Sequence, residues 1–266
     1  DNFMPNGRAP LTGEIYANRH LARSLQLIAE TRGSAFYEGE LAEKIEGFAK
    51  QHNAAMRVSD LASHKADWCG TISQRFDEVD LHEIPPNGQG IAGLMALGIL
   101  NHTGIRDLGP DDPQALHLQI EAMKLALLDT EAYVADLDFM KHITSKDMLN
   151  PDYLKERARL IHSKRATDFK VGKPKSLGTV YLSAADASGM MVSFIQSNYA
   201  GFGSGVVVPE TGIHLQNRGA GFSLLKNHPN LVAPGKRPFH TIIPAFLMKR
   251  EKPLMSFGVM GGDFQP

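Results

Sequence analysis

Thr179 is the residue whose type and position best suit covalent chemistry. It follows Gly178 and opens a run to Ala185 that has the pattern of a β-strand. A threonine hydroxyl inside a chain is a weak nucleophile, but a cut before Thr179 would free an α-amino group that can act as its base. The pKa of an α-amino group is about 8, so one residue would supply both nucleophile and base near neutral pH. Cleavage between Gly178 and Thr179 is therefore the central hypothesis.

Two later pairs of residues match the needs of such a nucleophile. Ser197 and Asn198 follow the next predicted strand and offer a hydroxyl and an amide. Gly261 and Gly262 follow a later strand, where two adjacent N–H groups can stabilise an oxyanion. Taken alone, the glycine pair is more typical of a plain turn, and threonine is common in strands. It is the combination with Thr179 that favours an amide-cleaving site.

The hydrophobic period changes along the chain and predicts an α+β fold. Residues 18–162 are mainly helical in pattern, with a short hairpin at 69–84. Residues from 179 onward have the two-residue period of strands. Between them, residues 164–178 are basic, polar and poor in apolar side chains, which is typical of an exposed linker where cleavage is tolerated.

Local patterns predict several element boundaries. Ser59 has the side chain of a helix cap, and Pro151 is typical of a first helical turn. Leu116, Ile120 and Met123 fall at helical spacing and predict the buried face of a long helix. The second stretch contains strand candidates at 179–185, 190–196, 206–208, 213–215, 240–248 and 254–260.

Composition limits the classes of function. The chain has 266 residues, 42% hydrophobic and 21% charged, with a net charge of −1. These values fit a soluble globular protein, and we expect neither nucleic-acid nor membrane binding. Cys69 is the only cysteine, which excludes disulfides within the chain and cysteine-based zinc sites. Cytoplasmic and periplasmic locations both remain open, as does a homo-oligomer.

A glycine-rich segment offers a different class of function. Gly88, Gly90 and Gly93 have the spacing of a dinucleotide fingerprint, and Asp107 lies at the expected distance. Two prolines precede Gly88 and no second strand is evident before Asp107, so a turn that packs a helix on a sheet is the favoured interpretation. The eleven histidines form no zinc-protease pattern, and we expect no metal or organic cofactor.

Short motifs in a specific order resemble the γ-glutamyltransferase family of N-terminal nucleophile hydrolases. The resemblance runs almost from end to end of the chain. The motifs are Gly7-Arg8-Ala9-Pro10, Ala35-Phe36-Tyr37, Pro85-Pro86-Asn87-Gly88-Gln89-Gly90, Thr179-Val180-Tyr181-Leu182-Ser183, Gly203-x-Gly205, Gly212-Ile213, Lys236-Arg237-Pro238 and Gly261-Gly262.

The resemblance implies an αββα four-layer sandwich, incomplete in this chain, and a zymogen that cleaves itself before Thr179. It implies that residues 1–178 belong to a large, mostly helical subunit and that 179–266 begin a small, mostly stranded one. Ser197 falls where the family supports its nucleophile with a second threonine. Gly261 and Gly262 fall where the family forms its oxyanion hole. We expect the chain to lack the family's front portion and its last strands.

The departures from the family bear on substrate. Residues 216–221 contain no acidic side chain to hold a substrate ammonium group, whereas Arg218 could hold a carboxylate. His240 and Thr241 replace the family's paired serines, and with Asn198 they complete the expected substrate-binding residues. These differences resemble the amidohydrolase and acylase-like branch.

We therefore expect an N-terminal threonine hydrolase that hydrolyses or transfers γ-glutamyl groups, as from glutathione, or cleaves related amides. An oxamate amidohydrolase, or another hydrolase of short amide acids, is the alternative substrate assignment. An unprocessed, inactive binding scaffold is the alternative of another class. The expected partners are a small-molecule amide and the protein's own second subunit.

Overall fold

A computed structural model describes residues 3–4, 6–169, 179–262 and 265–266. The chain forms two compact units. Unit 1 comprises Asp1–Trp68 and Phe202–Gln216, and unit 2 comprises Cys69–Gly201 and Asn217–Pro266. The predicted subunits, residues 1–178 and 179–266, are separated by a cleavage of the chain and not by a boundary between compact units. That division stays a prediction. Among the described residues, no helix has the length and apolar character needed to span a membrane.

The described residues contain helices and antiparallel strands, as the α+β prediction requires. The helices are α1 (Arg19–Glu30), α2 (Ser34–Tyr37), α3 (Glu40–Gln51), α4 (Val58–Ser63), α5 (Gly90–Leu100), α6 (Pro113–Tyr133), α7 (Ser145–Met148) and α8 (Pro151–Ala158). The strands are β1 (Ile72–Phe76), β2 (Val79–Glu83), β3 (Thr179–Ala185), β4 (Met191–Ser197), β5 (Ala245–Lys249) and β6 (Lys252–Phe257).

Unit 1 contains α1 to α4 together with the 202–216 segment. The side chain of Asn18 caps α1 by accepting a hydrogen bond from the Leu21 N–H. Within α3, apolar residues at helical spacing, Leu41 and Ile45 among them, are buried. The Ser24 hydroxyl donates to the Thr211 carbonyl at 2.7 Å and ties α1 to the 202–216 segment. Arg57, rather than the predicted Ser59, is the N-cap residue of α4.

Unit 2 is built on a four-stranded antiparallel sheet in the order β1-β2-β5-β6. β1 and β2 form the predicted hairpin, with Asp77 at a positive φ in its turn. The β2–β5 pairing joins strands from either side of the predicted cut, with Leu81 opposite Leu247. β3 and β4 form a separate two-stranded ribbon.

Helix α5 is the centre of the core of unit 2. Its side chains are buried on all sides, which explains why the helix is almost wholly apolar in sequence. The facing side of α6 buries Ala115, Leu118 and Ala122. Leu116 and Ile120 were predicted to be buried, but they are 57% and 50% exposed. Three alanines lie on this face beside the buried Leu118 and Leu125, whereas Leu116 and Ile120 lie on the opposite, solvent-facing side.

Some strand predictions are wrong, for reasons visible in the backbone. Segments 206–208 and 213–215 pair only through the isolated bridge Val207↔His214 and the two backbone hydrogen bonds that flank it, which is too short a ladder to form strands. The strand predicted from 240 begins only at Ala245. The backbone of His240 instead bonds to the loop before α5: its N–H donates to the Asn87 carbonyl, and its carbonyl accepts from the Gln89 N–H.

Close packing around α5 leads to a test of stability. A Cβ added at Gly98 would collide with a terminal methyl of the buried Leu154 side chain. We expect Gly98→Ala to lower the free energy of unfolding by about 1–3 kcal/mol, since overpacking outweighs the gain in helix propensity. Gly104→Ala, in the same unit with open space at its Cβ, is the matched control. Equal denaturant midpoints for the two variants would contradict the packing described.

Candidate active site

Thr179 begins β3 and lies directly opposite Ser197, the last residue of β4. The Thr179 hydroxyl donates to the Ser197 Oγ at 3.4 Å, and Ser197 Oγ also accepts from the Tyr199 N–H at 2.9 Å. The antiparallel register therefore brings the two predicted hydroxyls together at one end of the ribbon. Gly178 lies outside the described residues, so the cleavage site stays a prediction.

Tyr181 and Ser193 anchor the ribbon against the end of β6. The Tyr181 hydroxyl is 2.9 Å from the Ser193 Oγ, and that Oγ donates to the Phe257 carbonyl at 3.4 Å. Gly258 carries no side chain where the Tyr181 ring approaches, and a Cβ there would lie 2.6 Å from the ring. The ribbon that carries Thr179 is thus held beside the segment that leads to Gly261.

Asn217 fastens the segment after β4. Its N–H donates to the Asn198 carbonyl at 3.2 Å, and its side-chain oxygen accepts from the Ala200 N–H at 3.0 Å. Asn198 is half-buried and follows Ser197 directly. These bonds place the residue after Asn217, the buried Arg218, beside the end of β4.

Arg218 is a buried cation, with 4% of its surface exposed. Its Nη1 donates to the Thr241 Oγ1 at 2.7 Å, and its guanidinium lies over the Tyr199 ring at 4.5 Å from the centroid. Stacking on an aromatic face holds the planar guanidinium in one orientation. The structure thus brings together two residues predicted to bind substrate.

His240 is held neutral in this environment. Burial, followed by the nearby positive charge of Arg218, lowers the pKa of His240 to about 4. The Ile242 N–H donates to His240 Nδ1 at 3.3 Å, so the neutral ring carries its proton on Nε2. His240 can therefore donate one hydrogen bond at neutral pH without adding a second positive charge.

Gly261 and Gly262 adopt backbone conformations that only glycine adopts easily. Their φ angles are +148° and +59°. Gly262 is buried, and its carbonyl accepts from the Gln265 N–H at 3.2 Å. The two glycines therefore form a tight turn after β6, consistent with either of the interpretations made from sequence.

Gln89 is a buried residue of this region that sequence reasoning did not single out. Its side-chain nitrogen donates to the Thr241 carbonyl and to the Gly262 carbonyl, both at 2.7 Å. It is 1% exposed and occupies the N-cap of α5, yet its side chain makes no capping bond to that helix. Its amide therefore joins two distant segments that both carry predicted site residues.

Glu83 is a buried acid at the end of β2, beside the start of α5. A Cβ on Gly90 would lie 2.8 Å from its Oε2, so the glycine is required by this contact. Oε2 has no hydrogen-bond partner among the described residues, and burial raises the pKa of Glu83 to about 8. Gly90, one of the three glycines with the spacing of a dinucleotide fingerprint, is therefore explained by packing against Glu83.

Described contacts link most of the predicted site residues into one chain. Thr179 bonds to Ser197, Arg218 bonds to Thr241, and Gln89 bonds to both Thr241 and Gly262. Tyr199 connects the first pair to the second, because its N–H bonds to Ser197 and its ring supports Arg218. Within the described ranges, no three His, Cys, Asp or Glu side chains are grouped as metal ligands.

A strand-opening threonine opposite a serine, together with a later glycine turn, is the arrangement that the sequence predicted for an N-terminal nucleophile hydrolase. The family model described as gamma-glutamyltranspeptidase matches residues 1–266. The chain therefore belongs to the gamma-glutamyltranspeptidase family, as the sequence motifs predicted.

Individual relatives agree with this assignment. The chain is 38% identical to the glutathione hydrolase-like YwrD proenzyme of Bacillus subtilis and 36% identical to the oxamate amidohydrolase proenzyme of Klebsiella pneumoniae. Each match covers 100% of this chain and 50% of the relative. The chain thus spans about half the length of these curated relatives.

A solved structure gives the same result for the fold. The crystal structure of cephalosporin acylase from Bacillus halodurans is similar, with a TM-score of 0.89 and 44% identity over 100% of this chain and 48% of that one. This likeness confirms the predicted α+β fold of the N-terminal nucleophile hydrolase type.

Gln89 was missed because its partners lie 152 and 173 residues away in sequence. The only local signal was the loop Pro85-Pro86-Asn87-Gly88-Gln89-Gly90, where a long polar side chain stands immediately before an apolar helix. Such a side chain must find partners when the helix is buried. Which partners it finds is decided by tertiary structure.

The buried Glu83 gives a pH test. Its pKa is about 8 in the folded state against an ordinary value of 4.5, so the folded protein retains a proton that the unfolded chain releases. Stability should therefore fall as pH rises from about 4.5 to 8, by up to about 1.4 kcal/mol per pH unit. Glu83→Gln should flatten this slope in urea unfolding measured across the window. Glu156→Gln, an exposed change on α8, should leave the slope unaltered; parallel curves for all three proteins would refute the assignment.

Proposed function

We propose that this chain carries the reactive centre of an N-terminal threonine amide hydrolase that cuts its own chain before Thr179. The observation that carries the proposal is the pairing of Thr179 with Ser197 at the open end of the β3–β4 ribbon. A hydroxyl at a strand start can become a chain terminus without disturbing the ladder that follows it. The family membership supports this chemistry.

The proposed reaction needs few groups. Thr179 Oγ attacks the amide carbonyl carbon while the freed α-amino group takes its proton. The N–H groups of Gly261 and Gly262 stabilise the oxyanion of the tetrahedral intermediate. The α-ammonium returns the proton to the leaving nitrogen, which departs as the C–N bond breaks. Water, or an acceptor amine in transfer, then releases the acyl group from Thr179. Ser197 lies within hydrogen-bond distance of the nucleophile, and once the amine takes the Thr179 proton the Ser197 hydroxyl can donate to Thr179 Oγ and orient it.

The sheet of unit 2 explains how two pieces would stay together after the cut. β1 and β2 precede Thr179, whereas β5 and β6 follow it, and β2 pairs with β5 in the middle of the sheet. Cleavage would therefore leave two polypeptides joined by backbone hydrogen bonds and a shared core. The protein's own second subunit is the partner that this arrangement predicts.

The charges of the site favour an amide that bears a carboxylate. Arg218 is a buried, oriented cation, and the neutral His240 adds a donor. Residues 216–221 contain no acid to pair with a substrate ammonium group. We therefore propose that amide acids without an α-amino group are better substrates than γ-glutamyl compounds such as glutathione. Oxamate is one such acid, and the oxamate amidohydrolase relative favours its inclusion among candidates.

The nucleophile is tested in the full product of the gene. Thr179→Ala should leave one uncut polypeptide by intact mass and lower turnover by about 10⁴-fold or more. Thr179→Ser keeps a hydroxyl and should keep cleavage and part of the activity. Ser183→Ala, which removes an exposed hydroxyl on the same strand, is the control and should behave as the unaltered protein. An uncut wild-type protein without turnover would favour the binding-scaffold alternative.

Substrate class is tested with two amides that differ in one group. Glutaryl anilide and γ-glutamyl anilide are identical except for the α-amino group. An unpaired buried ammonium costs about 1–3 kcal/mol, so kcat/KM should favour glutaryl anilide by about 5- to 150-fold. Oxamate is assayed alongside to identify the short-acid alternative. Faster turnover of γ-glutamyl anilide than of both others would reject the charge argument.

The role of Arg218 is tested by removing the substrate's carboxylate. The amide that is turned over fastest is compared with the same amide whose carboxylate is a methyl ester. The free acid should have the higher kcat/KM. Arg218→Lys retains the charge but loses the planar fork, so this preference should fall about 10-fold. Lys226→Arg, an exposed change of the same kind, should leave the preference intact. An unchanged preference in Arg218→Lys would show that another group binds the carboxylate.

A further inference from the structure

We infer that Gln89 is a positioning residue that holds the Gly261–Gly262 turn in register with the Thr241 segment for oxyanion stabilisation. The inference rests on the proposed function, because it assigns a task within that site. It also concerns a residue outside every role assigned above.

The need for such a residue follows from the backbone of the turn. Adjacent glycines have more conformational freedom than any other pair, and both adopt positive φ here. Oxyanion donors must be held within about 0.5 Å of their productive position. A glycine turn that served this purpose would require an external restraint.

Gln89 supplies that restraint through one planar group. The two hydrogens of its amide donate to two carbonyls, at Thr241 and Gly262, both at 2.7 Å. The separation of these carbonyls is therefore set by the geometry of a single NH₂ group. Both bonds are shielded from water, because Gln89 is 1% exposed, Thr241 is 2% exposed and Gly262 is buried.

The base of the Gln89 side chain is fixed as firmly as its tip. The Gln89 N–H donates to the His240 carbonyl at 2.8 Å, and the His240 N–H donates to the Asn87 carbonyl at 3.0 Å. The Asn87 side chain donates to the Pro238 carbonyl at 2.6 Å. Gln89 is also the N-cap residue of the buried helix α5. Its side chain thus projects from a backbone that is itself hydrogen-bonded and joined to the core.

The same bonds connect the proposed oxyanion turn to the proposed carboxylate site. Thr241 accepts from Gln89 at its carbonyl and from Arg218 at its hydroxyl. A shift of Gly262 relative to Thr241 would therefore misplace the reacting carbonyl relative to the bound carboxylate. Loss of Gln89 should reduce the rate of chemistry more than the binding of substrate.

Two variants of the full gene product test this inference. Gln89→Met has a similar shape but no donors, and Gln89→Glu directs carboxylate oxygens at the two carbonyls. Both should lower kcat by about 10- to 100-fold and change KM by about threefold or less. In Gln89→Glu, the ratio of its kcat to that of the unaltered protein at the same pH should rise on acidification, because the protonated carboxyl can donate one hydrogen bond. Gly98→Ala, which destabilises the core by overpacking against Leu154 rather than by removing a bond to the turn, should leave kcat unchanged.

The outcomes separate this inference from the proposed function. If Thr179→Ala is inactive but Gln89→Met retains normal kcat, the positioning role is wrong and the threonine mechanism stands. If Thr179→Ala stays active, the proposed function itself fails. A rise in KM alone would place Gln89 in substrate binding and overturn the inference. If neither Gln89 variant yields folded protein, the residue serves folding, and the inference is likewise overturned.

Discussion

The backbone pairing of β2 with β5 is the constraint on which the rest of unit 2 depends. It joins a strand before Thr179 to a strand after it, and it aligns the loop that ends at Gln89 with the segment from His240. β6 then follows β5 by a tight turn and delivers Gly261 and Gly262. The ribbon of β3 and β4 packs on the end of β6 through Tyr181. Site residues far apart in sequence are thus placed by one sheet.

Two pairs of polar side chains in unit 2 differ in their chemistry. Thr179 and Ser197 form a hydroxyl pair on a ribbon whose register is set by backbone hydrogen bonds. Arg218 and Thr241 form a buried, hydrogen-bonded pair in which the positive guanidinium lies over the ring of Tyr199. In the proposed function, the first pair makes the covalent bond and the second recognises an anion. His240, which precedes Thr241, stays neutral because burial and the neighbouring guanidinium both oppose its protonation.

Much of this arrangement was predictable from local pattern, and the remainder depends on distant partners. The β1–β2 and β3–β4 hairpins followed from alternating residues around clear turns, and α5 followed from its continuous apolar run. The predicted burial of Leu116 and Ile120 was wrong, because helical spacing identifies one face of a helix without showing whether that face is buried. The strand expected from 240 was interrupted because its backbone bonds to the 87–89 loop. Gln89 and Glu83 could not be assigned, since their surroundings come from segments far along the chain.

The sheet of unit 2 contains strands from both sides of the predicted cut, which affects how the protein would fold and unfold. Before any cut, β1, β2, β5 and β6 assemble within one molecule, so their encounter costs only loop closure. Once the chain is divided ahead of β3, recovery from unfolding becomes a bimolecular reaction between fragments and depends on concentration. Cleavage would then convert a chain that can refold by itself into a two-chain protein with kinetic stability. The lifetime of its active form would be governed by the rate of unfolding.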